Sequence, residues 1–144
     1  MASCDLAVAA EDARFCTPGV DIGLFCSTPA VALARAVPRK AAMEMLLLGE
    51  MVPAAEAQRL GLVNRLAPRD ALMETALGLA ARIASHSAIT VRMGKRGFNT
   101  QIELPLAEAY SEAASVMTEN LMARDAAKGI GAFLEKRHPH WEDR

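Results

Sequence analysis

The chain has 144 residues, of which 52% are hydrophobic, 23% charged and 4% aromatic, with 16 basic residues against 17 acidic ones. So much apolar surface with so little net charge excludes a disordered chain, and the absence of a basic excess argues against a nucleic-acid module. A bilayer span needs about 20 apolar residues in a row; the longest runs, such as Ala30 to Val37, are broken by Arg35 or ended by Pro38. Length and composition predict one globular domain of ordinary size.

In chain order, Ala2 to Ala10 reads as a buried strand of a parallel sheet, where alternation disappears because both faces are covered. A second strand is predicted near Ala13 to Thr17, ended by Pro18-Gly19. Val20 to Cys26 fits a strand or a loop. Ser27 and Thr28 before Pro29 predict an N-cap and a helix to Ala36, stopped by Pro38. Arg39 to Leu48 is predicted helical with Gly49 as its C-terminal cap, and Pro53 to Leu60 helical with Gly61 closing it. Leu62 to Ala67 reads as a short strand. Asp70 is expected to cap a helix to Ser85 with Leu72, Ala76, Leu79 and Ile83 on one face. Further helices are predicted from Ala88 to about Ile102, Pro105 to Leu121, and Ala126 to Arg137.

Two or three buried parallel strands need neighbours and crossover connections. The pattern therefore reads as the second part of a larger domain, with Met1 an internal methionine or a boundary. Uncovered sheet faces and edges predict self-association.

Cys4, Cys16 and Cys26 form an odd set without a C-x-x-C pair or a histidine at ligand spacing, which predicts reduced thiols and no zinc site. The N-terminus shows neither a secretory signal nor an Arg- and Ser-rich transit peptide. Cys26, Ser27 and Thr28 with a distant His86 are nucleophile candidates, but no G-x-S-x-G elbow accompanies them, and a core thiol with two capping hydroxyls is the favoured reading. His138 and His140 flank Pro139 beside Trp141 and read as a surface tail. Among carboxylates, Asp21 lies in the glycine-rich Pro18–Gly23 stretch, Asp5 needs a buried partner or a strand end, and Glu44, Glu50 and Glu56 fall on helices or their junctions. Phe133 and Lys136, three apart on the last predicted helix, could offer a ring and an ammonium to an adenine bearing phosphates, or simply pack and cap.

Five strings in order carry a resemblance. Ser3 to Ala9 (SCDLAVA) followed by Ala13 to Pro18 (ARFCTP), Ala42 to Glu50 (AMEMLLLGE), Ala54 to Val63 (AAEAQRLGLV) and Gly131 to Arg137 (GAFLEKR) resemble the enoyl-CoA hydratase/isomerase (crotonase) family. Gly23 to Lys40 (GLFCSTPAVALARAVPRK) points to a narrower group within it. The resemblance spans this chain and about the C-terminal half of a family member. It implies an α/β fold, the C-terminal part of a ClpP-like β-β-α spiral (residues 1–67) followed by a helical region (68–144) used in oligomerisation and coenzyme A contact. The implied partners are fatty acyl-CoA or enoyl-CoA thioesters and further copies in a homotrimer or hexamer. No cofactor is expected besides coenzyme A as part of the substrate. The implied setting is fatty acid metabolism, cytoplasmic in a bacterium or mitochondrial in a eukaryote.

The family reaction is hydration of a trans-2-enoyl-CoA by a lyase with an oxyanion hole and two glutamates. One glutamate and one oxyanion-hole glycine belong to a glycine-rich segment that would precede Met1. The other glutamate follows the proline matched by Pro18, where this chain has Gly19. Asp21 is the nearest substitute, but in a strand i+2 lies about 6.5 Å further along. The chain alone is therefore expected to be inactive, and a non-catalytic acyl-CoA-binding or oligomerisation module is the alternative. Phe133 and Lys136 match the family's adenine and phosphate contacts.

Overall fold

The computed structural model describes residues 1–143 and divides into two compact units, Met1–Leu79 and Ala80–Arg144. In the first unit, β1 (Val8–Ala10) pairs in parallel with β4 (Arg65–Ala67), Ala9 standing opposite Leu66. The strand is shorter than the apolar run at Ala2 suggests. A turn closed by Cys4 N–H on Met1 O (2.8 Å) folds the first residues, and Ala7 donates to Asn64 Oδ1 (2.8 Å). Residues 3 to 6 are exposed, so the expected buried strand from Ala2 is corrected to its last three residues. A second pair, β2 (Arg14–Phe15) with β3 (Val52–Pro53), is antiparallel.

Three helices cover these strands: α1 (Ser27–Ala36), α2 (Arg39–Leu48) and α3 (Ala54–Arg59). Gly49 ends α2 at φ 67°, a left-handed turn that favours glycine, and Gly61 turns the chain after α3 at φ 89°. The core is small-residue and aliphatic, with Ala9, Leu33, Val37, Ala42, Met45, Leu46, Ala57, Leu62 and Val63 in one cluster. Ala54 and Ala57 are wholly inaccessible, so α3 lies with its backbone close to its neighbours. Arg69 forks onto Asp12 at the surface (2.8 and 3.3 Å), and this hydrogen bond holds the Asp12 carboxyl below its ordinary range.

The N-terminus of α4 (Leu72–Ala84) differs from expectation. Pro68 leads into a 3₁₀ turn over Arg69–Ala71 without a side-chain cap, so Asp70 sits inside that turn instead of capping the helix. On α4, Leu72, Ala76 and Leu79 are half-buried while Ile83 is exposed.

The second unit is built on α5 (Ala88–Gln101), α6 (Leu106–Leu121) and α7 (Arg124–Leu134). Helices α5 and α6 run antiparallel, as shown by Asn120 beside Thr90 (3.2 Å), the Arg96–Glu119 ion pair, and Gly97 against Val116. A Cβ at Gly97 would stand 3.0 Å from a Val116 methyl, so glycine sets this close crossing. The C-terminal segment keeps His138 and His140 exposed at the surface and is anchored by the residues that follow them. Trp141 Nε1 donates to Ser85 O (2.9 Å), its ring lies over Gly129, and Lys128 pairs with Glu142. No helix among the described residues is long and apolar enough to cross a membrane.

Candidate functional site

The stretch from Pro18 to Pro29 forms a cleft of about 630 Å³ in the first unit. Its floor begins with a 3₁₀ turn over Pro18–Ile22, where strand or loop was expected from Val20. Proline at the start presets φ for such a turn, and Thr17 Oγ1 donates to Met45 O (2.8 Å), tying it to α2. Gly23 reverses the chain at φ 76°, after which Leu24 N–H returns to Gly19 O (2.9 Å). The walls are apolar: Ile22 (76% exposed), Leu24 and Phe25 face outward with nothing covering them.

Gly19 lies beneath a closed ceiling. A Cβ there would stand 2.7 Å from Leu24 O and 2.8 Å from Cys26 Sγ, closer than real carbon contacts allow. The first of these neighbours is backbone, which does not swing aside. The loop is therefore shaped around a residue without a side chain.

Asp21 is exposed on the same turn, with both carboxylate oxygens 3.4 Å from the place of a Cβ on Gly49. The strand geometry expected between Gly19 and Asp21 is corrected by the 3₁₀ turn. At three residues per turn, two steps rotate a side chain by about 240°. Asp21 thus leans toward the end of α2, away from the direction a side chain at 19 would take.

Cys26 occupies the N-cap of α1 and Ser27 is already helical; neither Ser27 nor Thr28 caps it, which corrects the capping reading. Ser27 Oγ instead donates to Phe25 O at 3.4 Å. All three histidines of the chain, His86, His138 and His140, lie in the second unit, where they line one cleft with Trp141. Among the described residues no three His, Cys, Asp or Glu side chains converge as a metal set. The cysteines are unpaired, Cys4 exposed and Cys16 and Cys26 half-buried.

Phe133 sits in the last turn of α7 and is 81% exposed. Lys136 does not share its helix. The helix ends at Leu134, and Lys136 takes a left-handed conformation at φ 54°. Arg137 N–H bonds Ala132 O (3.0 Å) and Lys136 N–H bonds Phe133 O (3.2 Å), the paired bonds of a Schellman cap with lysine where glycine is usual. Ring and ammonium are thus presented by a capped helix end, and the expected shared helical face is corrected accordingly.

Two features escape sequence patterning. Asp125 is 1% exposed, its oxygens accepting Glu142 N–H (2.8 Å) and Asp143 N–H (3.0 Å). A hydrogen bond from Ser87 is the main cause that holds its carboxyl below the ordinary range, against the opposing effect of burial. The only advance signal is an acid in a first helical turn, which many helices share. The other feature is a groove beside α2 and α3, where Glu56 and Arg59 form a two-bonded pair (2.5 and 2.7 Å) that lowers the glutamate's pKa and raises the arginine's.

A sequence model of the enoyl-CoA hydratase/isomerase family matches residues 1–144. The chain is 50% identical over 141 residues to the mitochondrial enoyl-CoA hydratase domain-containing protein 3 of Rattus norvegicus, covering 98% of this chain and 47% of that protein. The Homo sapiens protein of that name is also 50% identical over 141 residues, with 46% of its length covered. A crystal structure of enoyl-CoA hydratase from Mycobacterium smegmatis superposes with a TM-score of 0.93 at 49% identity, covering 97% of this chain and 55% of that one. The crystal structure of human enoyl Coenzyme A hydratase domain-containing protein 3 gives 0.91 at 50% identity, with 97% and 55% covered. The chain spans about half the length of the relatives it matches. Its two short strand pairs and following helices are the C-terminal portion of the crotonase fold, and the chain belongs to the enoyl-CoA hydratase/isomerase family.

Proposed function

We propose that this chain binds a fatty acyl-CoA or enoyl-CoA thioester, the acyl portion lying in the Pro18–Pro29 cleft, without itself performing the hydration step. The observation that carries this reading is the cleft: it falls in the 300–1,000 Å³ range of small-molecule sites and is walled by uncovered Ile22, Leu24 and Phe25. An aliphatic chain gains about 25 cal/mol for each Å² of apolar surface removed from water there.

Addition of water across an enoyl double bond needs a group that takes a proton from water and a group that gives one to carbon. At position 19 the chain offers neither, and the ceiling above Gly19 leaves no room for a longer side chain. Asp21 leans toward Gly49, and Cys26, Ser27 and Thr28 have no imidazole in their unit. Phe133 and Lys136 supply, in this reading, an aromatic plane for the adenine and a cation for the phosphates.

Calorimetric titration of the full chain with decanoyl-CoA and with coenzyme A alone tests the proposal. Binding of the acyl thioester at least tenfold tighter than coenzyme A is expected, with that advantage lost in Leu24→Ser. Equal affinity for the two ligands would refute the acyl site. Steady hydration of crotonyl-CoA by the purified chain, abolished in Asp21→Asn, would refute the non-catalytic part and make Asp21 the base.

A further inference from the structure

The histidines of the chain reach one cleft from two places in the sequence. His86 stands between the end of α4 and the start of α5, and His138 and His140 follow the capped end of α7. With Ser85, Pro139 and Trp141 they line a space of about 570 Å³, wholly within the second unit. Pro139 arranges one side of it. Proline fixes its own φ and keeps the residue before it extended, and in extended backbone residues two apart point to the same side. The 138–140 stretch is accordingly neither helix nor turn.

Both walls are pinned by bonds outside the cleft. Trp141 Nε1 donates to Ser85 O (2.9 Å), so the chain neighbours of His140 and His86 meet directly. On the other flank Ser87 is 2% exposed and bonds Asp125, whose oxygens also take the Glu142 and Asp143 N–H groups. The imidazoles themselves are exposed and engage no side chain or backbone group among the described residues.

The other polar hydrogens of these side chains are already used. The Trp141 N–H is held by Ser85 O, and the Ser85 hydroxyl donates to Arg82 O (2.7 Å). The imidazoles are therefore the side-chain donors left for a ligand, and no carboxylate lines the space. Around it, Glu142 pairs with Lys128, Glu135 with Arg137, and Asp143 Oδ1 takes Ala88 N–H (2.7 Å). Arg137 also reaches His138 O (3.4 Å). A metal ion does not suit these rings, since its bonds to nitrogen are about 2.0–2.1 Å and the three do not converge on one point. A tetrahedral oxyanion suits donors set further apart, because each of its oxygens accepts a separate bond of about 2.7–2.9 Å.

We propose that this cleft is a pH-gated site for a phosphate- or sulfate-type oxyanion, held by His86, His138 and His140 in their protonated state. Imidazole gains its second proton near pH 6.5, and both ring nitrogens then donate. Carboxylates ordinarily titrate near pH 4, and lysine and arginine above pH 10. Between pH 5.5 and 8 the imidazoles therefore set the change in charge, positive at the acid end and neutral at the other. The bound anion in turn favours the protonated rings, so anion binding and proton uptake are reciprocal.

Trp141 walls the cleft and serves as the reporter. Sulfate is the probe, because its charge does not change between pH 5.5 and 8, and chloride holds the ionic strength constant. Emission of the full chain is expected to change saturably with sulfate at pH 5.5, and the affinity to be at least tenfold weaker at pH 8. His86→Gln, and separately His138→Gln with His140→Gln, should each weaken binding at pH 5.5 at least fivefold. Circular dichroism checks that each remains folded. His140→Lys keeps its positive charge through pH 8 and should bind sulfate there more tightly than the wild type, a gain that a merely structural role does not produce. Phosphate and coenzyme A then compete with sulfate at pH 5.5. Displacement by phosphate at least as strong as by coenzyme A marks a site for the free ion; stronger displacement by coenzyme A marks one for its phosphate end. No saturable response to sulfate at pH 5.5, equal affinity at both pH values, or wild-type affinity in His86→Gln would overturn the proposal.

Discussion

The backbone N–H of Glu142 donates to Oδ1 of Asp125 at 2.8 Å, joining the last residues of the chain to the start of α7 across 17 positions. The other oxygen takes Asp143 N–H, and Asp143 Oδ1 in turn accepts Ala88 N–H (2.7 Å) at the start of α5. One buried carboxylate thereby organises two helix starts and the terminal segment. Asp125→Asn keeps the shape but loses the charge and one acceptor, so it should lower the midpoint of urea unfolding at pH 7.

The sign of the pH dependence follows from the depressed pKa of Asp125. A carboxyl that ionises more readily folded than unfolded stabilises the fold fully above its ordinary value of 3.8 and loses that contribution as pH falls through its lower folded value. The gap between wild type and Asp125→Asn should therefore be widest near neutrality and close below pH 3.8. Urea titrations at several pH values measure it; a gap that persists undiminished in acid would exclude this origin.

Gly19→Ala tests the closed ceiling over the Pro18–Ile22 turn. The added methyl would overlap Leu24 O and Cys26 Sγ. Overpacking of this kind costs about 1–3 kcal/mol. Adding Cys26→Ala should recover only part, because the carbonyl remains. The same reasoning predicts that Gly19→Glu brings no hydratase activity and destabilises further. Chemical denaturation and a crotonyl-CoA assay read the two effects; unchanged stability in Gly19→Ala would mean that the loop opens freely.

What the sequence reveals and conceals follows the range of the forces involved. Helix α2 is legible at both ends because Pro38 and Gly49 act locally, and α5 and α6 are legible from apolar spacing within each helix. Ala2 to Ala10 misleads because an apolar run does not say how many residues find a ladder partner; only three do. The Pro18–Ile22 turn misleads because five residues are too few for periodicity to distinguish 3₁₀ from extended backbone. In the candidate site Gly19 can be singled out by family resemblance, but its ceiling depends on Leu24 and Cys26 folding back. Lys136 looks helical in sequence, since lysine is a good helix former, and only the cap bonds put it outside.

Trp141, the chain's one tryptophan, reports on the anchored terminal segment. A Cβ on Gly129 would stand 3.2 and 3.3 Å from two atoms of its ring. Gly129→Ala raises helix propensity in α7 yet pushes the ring outward, so the two effects oppose. Tryptophan emission should shift to longer wavelength while helical circular dichroism is retained. An unshifted emission would show that the ring accommodates the methyl without moving toward water.

The helix end at Lys136 sets stability against binding. A left-handed conformation costs a side-chain-bearing residue roughly 1–2 kcal/mol, and glycine escapes that cost while losing more chain entropy on folding. Lys136→Gly should therefore stabilise the chain by up to about 1 kcal/mol. If the ammonium meets coenzyme A phosphates, as proposed, the same change should weaken coenzyme A binding, most at low salt where charge contacts are least screened. Phe133→Ala should leave stability within about 0.5 kcal/mol, because the ring is already exposed, yet weaken binding with little salt dependence. Thermal unfolding and calorimetry on the same preparations separate the two quantities. A variant that gains stability and keeps full coenzyme A affinity would make Lys136 a strained cap and nothing more.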